Sequence, residues 1–123
     1  MSGSKSRDKG ARGERLLVHY LESLGMSVKR GYVFLKQSDL IGIPGIHIEC
    51  KFMEALNVRK AMAQAIEEAK KRKDGMPTVF WKKSREEWLT VMRTEDWVRL
   101  YKMARWRGLD DTERADSELY EDE

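Results

Sequence analysis

The chain has one cysteine, Cys50, and two histidines among its 123 residues. A lone thiol excludes an intramolecular disulfide and suits a reducing, intracellular setting. With no CxxC pair and no His/Cys cluster, a structural zinc site is not expected either. Long apolar runs are also missing. The first residues are rich in Ser, Gly, Lys and Arg, so neither a signal peptide nor a membrane anchor is expected there, and a cytoplasmic location follows. No internal repeat is present, and the one compositionally biased segment is the acidic end.

What the chain has in quantity is charge. Charged residues make up 37% of it and apolar residues 41%, enough for one core in one domain. The net charge of +3 conceals an asymmetry: residues 108–123 hold eight acids and one base, leaving residues 1–107 at a net +10. We expect a folded domain over 1–107 and a disordered acidic tail over 108–123. A body this basic points to a polyanion partner, because neutralising phosphates drives sequence-independent nucleic-acid binding.

The pattern predicts a first helix from Ser6 or Asp8 as N-cap to Leu24, stopped by Gly25. Its apolar stripe is Ala11, Leu17, Val18, Leu21 and Leu24, and Glu14 falls on that stripe, where a carboxylate needs a partner. A strand broken at Gly31 is expected over 26–35, then a hairpin over 39–51 turning at Pro44-Gly45. A second helix, Asn57 to Lys73, is expected to bury Val58, Ala61, Met62, Ala65 and Ala69 and to end at Gly75 before Pro77. Strands at Thr78–Lys82 and Trp88–Arg93 follow. A third helix from Thr94 is expected to bury Trp97, Val98, Tyr101 and Ala104. The order α-β-β-β-α-β-β-α predicts a single α/β domain, a central mixed β-sheet flanked by helices.

The hairpin carries the chemistry. Ile46, Ile48 and Cys50 share one strand face, which makes Cys50 a core residue, while His47, Glu49 and Lys51 share the other. A two-residue Pro44-Gly45 turn would set Asp39 opposite Cys50, on the wrong face. A three-residue loop Ile43-Pro44-Gly45, or a bulge with Gly45 at positive φ, sets it opposite Glu49. In that register two carboxylates and an ammonium converge beside the first helix, where Glu14 can join them. Glu14, Asp39 and Glu49 are three hard oxygen donors in an incomplete cage, which suits Mg²⁺ or Mn²⁺. Such an ion polarises a scissile phosphate and acidifies a bound water, with Lys51 orienting that water or stabilising developing charge.

Asp39 followed by Glu49-Cys50-Lys51 resembles the D…E-x-K signature of the PD-(D/E)XK nuclease superfamily. The stretch Lys9-Gly10-Ala11-Arg12-Gly13-Glu14-Arg15 resembles the opening helix of Holliday junction resolvases of the archaeal and phage type, in which the helix Glu is a metal ligand. In the related virus-type replication-repair nucleases a Gln on the helix after E-x-K lies near the site, and Gln64 occupies the comparable place. The resemblance covers about residues 5–93. It implies a restriction-endonuclease-like fold and a role in DNA recombination or repair in a bacterial, archaeal or phage-infected cell.

Together these readings give a Mg²⁺-dependent endonuclease for branched DNA, four-way junctions first, with Glu14, Asp39, Glu49, Lys51 and Gln64 in its site. The alternatives are another substrate for the same fold (flaps, nicks or a duplex site) and a non-catalytic DNA-binding subunit. A chain this small needs a symmetric dimer for paired cuts. Phosphate contacts are expected from Lys5, Arg7, Lys9, Arg12 and Arg15, which precede and open the first helix, Lys29, Arg30 and Lys36 before Asp39, and Lys82 and Lys83 at a strand end. The tryptophans are read mainly as packing residues, with Trp106 also a candidate contact for a partner.

Overall fold

The structure, a computed structural model, describes residues 2–109 and the side chains of residues 9–107. The acidic residues 110–123, and with them the expected tail, lie outside the described residues, as do the side chains of Lys5 and Arg7. The elements are α1 (Ser2–Ser23), β1 (Lys29–Arg30), β2 (Leu40–Ile41), β3 (Ile46–Phe52), α2 (Val58–Arg72), β4 (Met76–Lys82), β5 (Leu89–Met92) and α3 (Thr94–Ala104). The five strands form one mixed sheet in the order β1-β2-β3-β4-β5, in which β3 and β4 run parallel and the other pairs antiparallel. This is the expected order of elements. Among the described residues no helix is long and apolar enough to cross a membrane.

Alternation along β3 and β4 separates two apolar layers. Leu17 and Leu21 of α1 pack with Val28, Leu40 and Ile48, joined by Cys50 and Phe80. Ala61 and Ala65 of α2 pack on Val79, with Trp81 and Val91 beside them. The sheet is therefore covered by α1 on one face and by α2 on the other. Burying the small side chains of α2 lets that helix lie close to β4.

Chain stops follow local chemistry. Met26 N–H donates to Leu21 O at 2.9 Å and Gly25 N–H to Glu22 O at 3.0 Å, with Gly25 at φ +92°, so α1 ends in a Schellman turn. Asn57 caps α2 by accepting from Lys60 N–H at 3.0 Å. Gly13 is needed for close approach: a Cβ there would stand 2.6 Å from the Cβ of Phe52 on β3. At Gly10, three residues earlier, a Cβ meets nothing within 4 Å.

Several expectations need correction. Helix α1 starts at Ser2, earlier than expected, because no proline interrupts the Ser/Lys/Arg stretch. Leu24, beyond the helix end, is 63% exposed. The long first strand is only Lys29–Arg30, followed by a 3₁₀ turn at Val33–Leu35. That turn is held by Tyr32 N–H donating to Gln37 Oε1 at 2.8 Å, a bond that competes with strand pairing. Val58 is exposed at the α2 start. Pro77 lies inside β4 near its first residue, before pairing with β5 begins at Thr78, so its missing N–H breaks no bond to β5.

On α3 the periodicity identified a stripe but not what covers it. Trp97, Tyr101 and Ala104 are exposed, as is Trp106 in the π-helical turn Arg105–Leu109, and Trp97 stacks on Tyr101. Asp96 is the buried residue of this helix, held by Arg93 at 3.0 Å and Arg99 at 3.7 Å.

The two glycines of α1 predict opposite outcomes in thermal melts. Gly10→Ala should stabilise the protein by up to about 1 kcal/mol through helix propensity. Gly13→Ala should cost about 1–3 kcal/mol through overpacking against Phe52.

Candidate metal and nucleic-acid site

The β2–β3 register pairs Leu40 with Ile48. It sets Asp39 across from Glu49, and Gly45 takes φ +88° in the turn, as the hairpin chemistry requires. Asp39 N–H donates to Ile48 O at 3.2 Å, and Asp39 Oδ2 accepts from Cys50 N–H at 2.7 Å. That second bond fixes one carboxylate oxygen and leaves Oδ1 without a hydrogen bond among the described residues.

Glu49 is almost fully buried. Its Oε1 lies 3.0 Å from His47 Nε2, and His47 Nδ1 lies 2.8 Å from Asp74 Oδ1. Burial disfavours charge on this imidazole, but the bonds to Glu49 and Asp74 outweigh it and raise the His47 pKa above its ordinary value. Lys51 Nζ donates to Gln64 Oε1 at 3.1 Å, so Gln64 stands beside the E-x-K strand as the resemblance implied.

The Asp39 carboxyl is pushed up to about 7, first by burial and then by the charge of Glu49, with Glu14 adding and the Cys50 bond and Lys51 opposing. Burial likewise pushes the Cys50 thiol up, so Cys50 is an inert packing residue as expected.

Glu14, whose charge acts on Asp39, is engaged by a base. Its Oε1 accepts from Arg30 Nε at 2.9 Å, an ion pair between α1 and β1. Among the described residues no group of three His, Cys, Asp or Glu side chains is spaced to hold a metal ion. Glu49 and Lys51 lie on the α2 face, where Gln64 of α2 joins them. Two buried-to-half-buried carboxylates with free oxygens still suit a hard divalent ion, because Mg²⁺ is commonly held by one or two carboxylates with waters and substrate phosphate. Their mutual repulsion, visible in the raised Asp39 pKa, is what a cation there would relieve.

The cations form a second feature. Lys9 Nζ, Arg12 Cζ and Lys82 Nζ all stand 5.8–5.9 Å from the centre of the Phe52 ring, one residue past Lys51. Lys83 stands over Trp81 at 5.5 Å, and Lys29 over Tyr32 at 5.3 Å. Arg15 is exposed, Arg30 is engaged by Glu14, and Lys36 lies in the loop at positive φ. Sequence reasoning missed Asp74 and gave His47 only its place on the face of Glu49 and Lys51. No periodicity links residues 27 apart, and only the parallel β3–β4 pairing brings the end of α2 back to β3.

The architecture is that of the restriction-endonuclease-like α/β fold. Among solved structures, the chain is similar to Archaeoglobus fulgidus Hjc, a Holliday junction resolvase from an archaeal hyperthermophile, at 24% identity and a TM-score of 0.50, over 68% of this chain and 72% of that one. No family model and no curated protein matches the sequence. The likeness shows a shared fold.

A raised carboxylate pKa means that the native state holds the Asp39 proton more tightly than the unfolded chain does. Stability from this group is full below its ordinary value of 3.8 and is lost as pH rises through about 7. In metal-free buffer Asp39→Asn should therefore melt several degrees above the parent at about pH 8, the gap closing near about pH 4.

Proposed function

We propose that the protein is a divalent-metal-dependent endonuclease for branched DNA, with the four-way junction as first substrate. The observation that carries this reading is the placement of Asp39 across from Glu49, on the strand that also presents Lys51, in a fold shared with a junction resolvase. Asp39 and Glu49 would hold Mg²⁺ or Mn²⁺, with Glu14 a third ligand once released from Arg30. When bound, the ion polarises the scissile phosphate and lowers the pKa of a coordinated water.

The chain's own groups do the rest. Lys51, which donates to Gln64, would neutralise charge developing on the phosphate. Lys9, Arg12 and Lys82 crowd three positive charges around one ring, an arrangement that favours a polyanion laid across it. Lys83 and Lys29 extend the track, and Lys5, Arg7, Arg15 and Lys36 are further candidates. These are backbone contacts, so shape rather than base identity would select the substrate. The exposed Trp97, Tyr101, Met103 and Trp106 support a homodimer, which supplies the second site that paired cuts require.

One observation favours a second reading. With Glu14 satisfied by Arg30, the protein suits a non-catalytic DNA-binding subunit.

Labelled four-way junction, flap, nicked and linear duplex DNA incubated with Mg²⁺ separates these readings. The endonuclease reading requires Mg²⁺-dependent cutting of the junction in preference to linear duplex, and preference for flaps or nicks redirects the substrate. Asp39→Asn and Glu49→Gln should each lower cleavage by on the order of 100-fold or more while DNA binding is kept. Parent-like cleavage by both variants sinks the catalytic assignment. In a separate measurement of affinity against salt, replacing Lys9 and Lys82 together with Ala should reduce the log–log slope by about two.

A further inference from the structure

Resting on the nuclease reading above, we propose that His47, oriented by Asp74, is a positioning residue that holds the Glu49 carboxylate in its metal-binding orientation. His47 is completely buried, and both ring nitrogens are engaged by carboxylate oxygens, Glu49 at 3.0 Å and Asp74 at 2.8 Å. Carboxylates only accept, so the ring donates from both nitrogens and its tilt is determined from both ends. Because His47 and Glu49 are two residues apart on β3, they share the α2 face and the bond spans neighbouring side chains.

The consequence is a matched pair of clamps. Asp39 has one oxygen tied to the Cys50 N–H, and Glu49 has one oxygen tied to His47. The second oxygen of each carboxylate is left without a hydrogen bond among the described residues. Side-chain freedom that would otherwise be lost on binding an ion is already gone.

Asp74 is itself well placed. It follows the left-handed cap of α2 at Lys73, and the next residue, Gly75, sits where a Cβ would stand 2.3 Å from Gly45 C and O. Met76 N–H donates to Gly45 O at 2.8 Å in the same crossing. The backbone of the α2–β4 loop is thus pressed against the β2–β3 turn, and Asp74 cannot drift from His47 without parting the two. A buried ionisable chain of this kind is a poor way to gain stability compared with apolar packing, which argues for a role beyond the core.

Mn²⁺ binding to the full chain, measured by calorimetry beside junction cleavage and thermal melting, tests the assignment. His47→Leu should weaken Mn²⁺ binding by about 10- to 100-fold, and His47→Gln, which keeps an N–H donor within reach of Glu49, should recover most of it. Asp74→Ala should weaken binding in the same direction by about 10-fold, and its side chain is only 30% exposed yet open to solvent at one end, so this variant decides the matter if His47→Leu does not fold. Parent-like Mn²⁺ affinity in folded His47→Leu or Asp74→Ala, with binding lost in Glu49→Gln, overturns the positioning role and leaves the nuclease reading standing. So does a lowered melting temperature that His47→Gln restores without any change in Mn²⁺ affinity. If the parent binds no Mn²⁺ and cuts no DNA, the nuclease reading fails and the role of His47 with it.

Discussion

The bond from the Cys50 N–H to Asp39 Oδ2 ties the candidate site to the fold. It forms only in the register that pairs Leu40 with Ile48, and that register depends on Gly45 adopting a positive φ in the turn. A slip by one residue would send Asp39 to the α1 layer and leave Leu40 facing Glu49. Packing of Leu40 and Ile48 with Leu17 resists that slip, so the apolar core under α1 sets the polar geometry on the opposite face.

The two faces of β3 thereby perform separate tasks. Ile46, Ile48 and Cys50 join the packing under α1, and His47, Glu49 and Lys51 form a charged row under α2 and its following loop. Each member of that row is bound to a different residue: Asp74, His47 and Gln64. Charged groups at this depth cost desolvation unless paired, and here the pairing also orients them. The Phe52 cation cluster lies at the same end of β3 but on the other face, beside α1.

Gly13 shows how the motif on α1 is used. Its missing Cβ lets the helix lie against Phe52 of β3, and the next residue, Glu14, is thereby close enough for its charge to act on Asp39 while its oxygen is held by Arg30. Arg30 balances the acid in the present state.

Local sequence was enough for much of this. The order of elements follows from hydrophobic periods of 3.6 and 2 and from stops at Gly25 and Gly75, and strand alternation narrows the facing of Asp39 to two registers, of which the structure adopts the one opposite Glu49. These are interactions among near neighbours, so they can be read along the chain. Which base pairs with Glu14 and which acid pairs with His47 were decided by tertiary packing. Asp74 reaches His47 only when β3 and β4, separated by α2, become neighbours, and Arg30 reaches Glu14 only when β1 folds back beside α1. Contacts between distant segments depend on the whole set of packed layers, and no local period encodes them.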